Sequence, residues 1–193
     1  MTIVEWPARV LEAKSSEVTE FDDELRVFVE QMHETMVKSG GIGLAANQVN
    51  VAKRIITINI PWVEGEADEE VPNREPWHDK KFTFINPRIL KKAGKTRGQE
   101  GCLSFPEIFE YIDRASEVVV EAADEKGNVF QVHATGLFAI CLQHEIDHID
   151  GVVFINRMSR LKANLVKKKI ERRLREINSG IEEKNNEENN KEN

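Results

Sequence analysis

Residues 144–154 read HEIDHIDGVVF, which fits the metal-binding helix pattern H-E-x-x-H-x-x-G-x-x-H at every fixed position except the last, where Phe154 stands in place of a third histidine. Phenylalanine ligates no metal, so a third ligand has to come from elsewhere in the chain. Extended toward the N-terminus, the stretch becomes GLFAICLQHEIDHIDG, opened by Thr135 as a capping residue and closed by Gly151. At about 100° per residue, Leu137, Ile140, Cys141, His144 and His148 fall on one stripe, and Phe138, Leu142, Ile146 and Ile149 occupy the other sides. A helix that is apolar almost all round belongs in the core. Two imidazoles one turn apart on such a helix can point at one ion. Glu145, one position round, flanks that ion without necessarily binding it, which is the arrangement of a general base beside a metal. Two histidines and a glutamate inside an apolar core cost stability unless a metal or hydrogen bonds compensate.

Three residues could complete the ligand set. Cys141 precedes His144 by one turn on the same stripe, a long reach for an ion held by both histidines. Glu171 lies in KKKIERRLRE, where a solvated, ion-pairing role is the plain reading. Cys102 lies in EGCLSFPE, where Gly101 permits close backbone approach and Pro106 restrains the chain, as suits a loop or strand end that presents a group accurately. The other histidines are weak candidates: His33 at the edge of an apolar helix face, His78 solvated in an acidic loop, and His133 on the outward face of a strand.

Outward from these segments, FDDELRVFVEQMHETM has helical spacing, with Asp22 as its cap and Gly40-Gly41 as its end. KRIITINI, FTFINP and EVVVEAADEKGNVFQVHA read as strands, the last a hairpin turned at DEKG. Residues 61–81 hold three prolines and seven acids without periodicity and are expected to be an acidic loop insertion. SRLKANLVKKKIERRLREINSG reads as an amphipathic helix over 159–178, its stripe of Leu161, Leu165, Ile170, Leu174 and Ile177 packing on the domain. Residues 181–193 are expected to be a disordered acidic tail.

A chain of 193 residues suits one catalytic domain, here 1–180, with a core large enough to dispense with disulfides. The expected fold class is α+β, with antiparallel β-sheets around a central buried HExxH helix and N-terminal and C-terminal helices outside. Neither a leader-like start nor a run of ~18 apolar residues is present, so a cytoplasmic protein that crosses no membrane is expected. The net charge of −7 argues against nucleic-acid binding by the whole surface. It is unevenly spread: residues 159–178 carry eight Lys/Arg against two acids.

GIGLAANQ, residues 41–48, could be a tight turn after a helix. A phosphate-cradling loop is disfavoured, since the segment lacks a third spaced glycine and a G-K-[ST] ending and does not follow a strand. Taken together, GIGLAANQ, EGCLSFPE and QHEIDHIDG resemble the three-motif signature of the bacterial-type, metal-dependent peptide deformylases, in the same order and over about residues 1–178. The three motifs jointly are highly specific. The resemblance implies that Cys102 is the third ligand beside His144 and His148, leaving a fourth position for water. It implies hydrolysis of the N-formyl group from the formylmethionine of nascent polypeptides, releasing formate. In that reaction Glu145 would move the proton, the Gln48 side chain and the Leu103 backbone N–H would stabilise the oxyanion, and Gly43 would offer its carbonyl to the substrate. Ile42, Leu137, Ile140 and Cys141 would line a pocket for the methionine side chain. The cofactor implied is one divalent metal, Fe(II) in the cell, with Zn(II), Ni(II) or Co(II) as replacements. The implied partners are formylated nascent peptides and the ribosome, whose RNA near the exit tunnel would meet the basic C-terminal helix of a monomeric enzyme. Without the resemblance, H-E-x-x-H also suits a zinc endopeptidase, or a non-enzymatic structural-zinc module that binds the ribosome through a closed four-ligand site.

Overall fold

The computed structural model describes residues 1–61 and 78–189, so most of the acidic 61–81 insertion lies outside the described residues. Two compact units are seen, Met1–Phe154 and Ile155–Asn193, where one domain over 1–180 was expected. A long helix satisfies its own backbone and contacts mainly itself, which is why the C-terminal segment forms a unit of its own.

In the first unit, helix α1 (Asp23–Lys38) begins where the sequence suggests: the Asp22 carboxylate accepts a hydrogen bond from Leu25 N at 2.8 Å. Its apolar stripe of Leu25, Val29, Met32 and Met36 is buried with Val18, Leu44, Ile55 and Ile85. His33 is not at the edge of this face but buried within it, because Thr83 offers a hydroxyl 3.1 Å from its Nε2. His78, expected to be solvated, is also buried.

Seven strands follow: β1 (Gly43–Ala45), β2 (Ile55–Ile58), β3 (Phe82–Ala93), β4 (Thr96–Cys102), β5 (Phe105–Arg114), β6 (Glu117–Ala123) and β7 (Val129–Thr135). They form an antiparallel five-stranded sheet of order β1-β2-β3-β6-β7 and a separate β4-β5 hairpin. The β6–β7 turn is closed by Asp124, whose carboxylate accepts from the backbone N–H groups of Lys126 and Asn128.

Helix α2 (Gly136–Ile149) carries the HExxH segment through the core, as the all-round apolar pattern requires. Phe138, Leu142, Ile146 and Ile149 pack with Ile56, Ile58, Phe84, Val118 and Val120 of the sheet. Burial of each such side chain stabilises by ~1.5–3 kcal/mol, enough to hold the polar residues of the same helix inside. Thr135 occupies the cap position, although its side chain makes no capping hydrogen bond. At the other end Gly151 adopts φ +76°, and a β-carbon there would lie 2.8 Å from the Glu12 carbonyl oxygen, so only glycine fits.

In the second unit, helix α3 runs Arg160–Asn189. It therefore continues past Gly180 and through the acidic segment expected to be disordered, leaving 190–193 outside the described residues. Of the expected apolar stripe, Leu161 and Leu165 are exposed and Ile170 and Leu174 half-buried, whereas Val166, outside the stripe, is buried. Among the described residues, no helix is long and apolar enough to cross a membrane.

Candidate metal centre

Cys102 is the last residue of β4, and β4 is tied to β5 by the Cys102–Phe105 turn. The turn faces α2, so the sulfur comes from the hairpin and the imidazoles from the helix. Ligand atoms of Cys102, His144 and His148 all lie within 4.8 Å of one another. Cys102 Sγ is 3.2 Å from His148 Nε2. Among the described residues no fourth His, Cys, Asp or Glu joins the cluster. Neither Cys141 nor Glu171 belongs to it, although the former is close by on α2. A thiolate and two imidazoles within one ion's reach fit a borderline divalent metal and leave a coordination position open.

The imidazoles are held by groups that sequence reasoning did not single out. His144 Nδ1 lies 2.8 Å from Glu100 Oε2. Burial pushes the Glu100 carboxyl up, but hydrogen bonds from Arg114 and His144 and their charges outweigh it and bring it down to about 2. An ionised Glu100 can only accept, so Nδ1 keeps its proton and Nε2 is the nitrogen left to face a metal. Arg114 in turn donates from Nε and Nη2 to Glu100 and from Nη1 to Asp147, all three groups being buried. Burial lowers the basicity of the His144 imidazole, yet interactions with Cys102 and Glu100 hold it well above its ordinary value, so binding of a metal at Nε2 would release a proton. Burial, reinforced by the charge of His144, drives His148 well below its ordinary value and keeps it neutral, as a ligand must be. His148 is anchored through its backbone, its carbonyl accepting from Asn47 Nδ2 at 2.6 Å.

The signal for Glu100 was present as an i, i+2 neighbour of Cys102, which puts both on one face of a strand. Asp147 precedes His148 directly. Arg114 carried no local signal at all, because its partners lie 14 and 33 residues away.

Glu145 follows His144 and is buried. Burial pushes its carboxyl up to about 7, against the charge of His144. Its Oε1 lies against Gly43, where a β-carbon would collide with it and with Cys141 Sγ. Its Oε2 has no hydrogen-bond partner although buried, the condition of a base awaiting a proton. Gln48 sits in a 3₁₀ turn, Ala46–Val49, directly after β1. Its Oε1 accepts from Ala45 N at 2.8 Å, which fixes the amide so that Nε2 faces Ser104 Oγ at 3.2 Å and Cys102 Sγ at 3.6 Å.

A cavity of about 500 Å³ opens onto this cluster. Its lining brings together Ile42, Gly43 and Gln48 from the β1 region, Cys102 and Leu103 from the hairpin, and Leu137, Ile140, Cys141, His144 and Glu145 from α2. His148 alone of the expected site residues is not on its wall; it reaches the cluster from behind, 1% exposed. Burial raises the Cys141 thiol well above its ordinary range, so it behaves as an apolar wall and not as a thiolate.

Comparison with known proteins places this geometry in context. Residues 1–164 match the family model described as polypeptide deformylase. A peptide deformylase from Neisseria gonorrhoeae is 40% identical over 173 residues, covering 90% of this chain and 95% of the relative. A crystal structure of peptide deformylase from Ehrlichia chaffeensis superposes with a TM-score of 0.81 at 39% identity, covering 91% of this chain and 97% of that one. The same Ehrlichia chaffeensis protein in complex with actinonin gives 0.79 at 38% identity, over 90% and 96% of the two chains.

Proposed function

The chain belongs to the polypeptide deformylase family of metal-dependent hydrolases, and on that premise we propose that it removes the formyl group from the N-terminal formylmethionine of nascent polypeptides and releases formate. The observation that carries the reading is the convergence of Cys102, His144 and His148 beside a buried Glu145 oxygen without a hydrogen bond, with Cys102, His144 and Glu145 on the wall of one cavity. Cys102, His144 and His148 would hold the metal; their donor set suits Fe(II), with Zn(II), Ni(II) or Co(II) as replacements. When bound, the ion supplies Lewis acidity that acidifies a water and polarises a carbonyl.

The remaining steps belong to the chain. A formamide entering the cavity would turn its oxygen toward Gln48 Nε2 and the Leu103 N–H, and stabilisation of the developing oxyanion is worth ~3–4 kcal/mol per donor. Glu145 takes the proton of the attacking water through its free Oε2 and returns it to the departing amine. The Gly43 carbonyl holds the peptide backbone, and Ile42, Leu137, Ile140 and Cys141 receive the methionine side chain. Formate release from formyl-Met-Ala-Ser by the metal-loaded protein, with no cleavage of an internally blocked peptide, tests the reading. Cleavage of the blocked peptide alone would make it an endopeptidase instead.

The cytoplasmic partner fitting this substrate is the ribosome, reached through α3. Residues 159–178 carry a net +6 against about −10 for residues 1–158. A basic element on an acidic body turns toward a polyanion while the body is repelled. Reversal of Lys167, Lys168, Arg172 and Arg173 to Glu should weaken ribosome co-sedimentation and flatten its salt dependence while leaving turnover of a short formyl peptide nearly unchanged. Unaltered co-sedimentation at low salt would sink the docking idea.

A further inference from the structure

The two imidazoles of the cluster are supported differently. Behind His144 stands Glu100, at its Nδ1. His148 turns Nε2 toward the cluster, 3.2 Å from Cys102 Sγ, so its Nδ1 is the nitrogen that points away. A neutral imidazole that ligates through one nitrogen carries its proton on the other. In His148 that second nitrogen is buried without a hydrogen-bond partner. Ligating histidines almost always donate this proton, because the hydrogen bond fixes both the tautomer and the ring orientation.

An acceptor stands close by in Asn47. This residue is 0% exposed and sits in the 3₁₀ turn Ala46–Val49, directly before Gln48. Its amide faces the His148 carbonyl at 2.6 Å. A carbonyl can only accept, so Nδ2 makes that contact and Oδ1 is turned elsewhere. Oδ1 is itself buried without a partner. His148 thus holds a donor that lacks an acceptor, and the residue bonded to it holds an acceptor that lacks a donor. A third such atom belongs to the same end of α2: Ser15 donates its backbone N–H to the Ile149 carbonyl at 2.9 Å, and its buried Oγ has no partner. Among the described residues five buried side-chain atoms lack a partner, and three of them belong to residues joined at this one turn. None of these three residues is on the wall of the cavity that opens onto the cluster. They lie behind His148, where orphaned polar groups are rare unless something joins them.

We propose that Asn47 is a positioning residue for the ligand His148, acting through one water held between His148 Nδ1, Asn47 Oδ1 and Ser15 Oγ. The water accepts the imidazole proton and donates to the two oxygens, which meets the needs of all three atoms at once. A buried water with about three such partners is a regular part of folded proteins. Asn47 then holds His148 twice, by its backbone through Nδ2 and by its ring through the water, and ties it to the turn that carries Gln48. This role rests on His148 being a metal ligand and is independent of the substrate.

The test compares wild type with Asn47→Thr and Asn47→Val, two side chains of nearly equal shape, of which only threonine keeps a hydroxyl for the His148 carbonyl and the water. Zn(II) affinity is measured by competition with a chelator, and imidazole N–H protons are observed by NMR in zinc-loaded protein isotope-labelled at histidine. Wild type should show a slowly exchanging proton on His148 Nδ1. Asn47→Val should bind Zn(II) ~10–100-fold more weakly and lose the slow exchange. Asn47→Thr should recover most of the affinity and the protected proton. Unchanged affinity in Asn47→Val overturns the proposal, as does a rapidly exchanging Nδ1 proton in wild type. Equal losses in Asn47→Val and Asn47→Thr overturn it as well, since they mark a packing effect. If wild type binds no Zn(II), the metal centre itself is refuted and this role falls with it. Circular dichroism accompanies each variant; should Asn47→Val fail to fold, Asn47→Ser against Asn47→Ala makes the same distinction.

Discussion

His144 Nδ1 donates to Glu100 at 2.8 Å, and Glu100 stands two residues from Cys102 on the same strand. One carboxylate therefore ties the hairpin that carries the sulfur to the helix that carries the imidazoles. Arg114 fixes that carboxylate from the neighbouring strand and reaches on to Asp147. The ligands are thus oriented by the fold itself.

Glu100→Gln should keep the fold but weaken metal affinity by ~10–100-fold, as loss of a partner behind a ligating histidine does. Competition with a chelator measures this, and an unchanged affinity would show that His144 is oriented by other groups. Arg114→Met should act on stability instead. It removes the guanidinium that Glu100 and Asp147 share and leaves two buried carboxylates without that charge partner, a loss of ~3–5 kcal/mol, and urea titration should reveal it.

Cys102→Ala should abolish metal binding, and Cys141→Ala should retain it with somewhat lower stability. Cys141 is buried against the site but lies outside the cluster of ligand atoms. Metal content must be measured beside circular dichroism, because a truncated buried cysteine can unfold a domain. Equal metal loss from two folded variants would contradict the ligand assignment.

Glu145→Gln should hold its metal and lose at least ~10²-fold in turnover, since it removes a proton acceptor and not a ligand. Loss of the metal as well would make Glu145 a ligand. Gln48→Ala should lower kcat more than it raises KM, the mark of a donor used chiefly in the transition state. A pure KM effect would reduce Gln48 to substrate positioning.

His33 supplies a pH dependence remote from the metal cluster. Burial, and then the Lys81 charge, holds its imidazole below the ordinary 6.5. The unfolded chain therefore takes up a proton at His33 more readily than the folded chain. Its contribution to stability is full above 6.5 and is lost as pH falls toward the folded-state value. The difference in urea midpoint between wild type and His33→Gln should accordingly shrink or reverse on acidification below that pH. A difference constant from neutral pH downward would mean that His33 does not titrate in this window.

Sequence by itself determined the elements whose causes are local. Asp22 caps α1, Gly151 closes α2, and the DEKG turn joins β6 to β7, because capping and left-handed backbone are matters of a few adjacent residues. The burial of α2 was likewise legible from its apolar residues on every side, and three separated motifs already carried the resemblance to the family. Tertiary structure alone decided the rest. The convergence of Cys102 with His144 and His148 joins residues 42 and 46 positions apart, and no periodicity encodes such a meeting. The same holds for Arg114, which pairs at once with β4 and α2, and for His33, which can be buried because Thr83 comes to it from 50 residues away. Local preferences decide which segments are helix or strand; which side chains share a site is set by long-range packing, whose free energy no single segment contains.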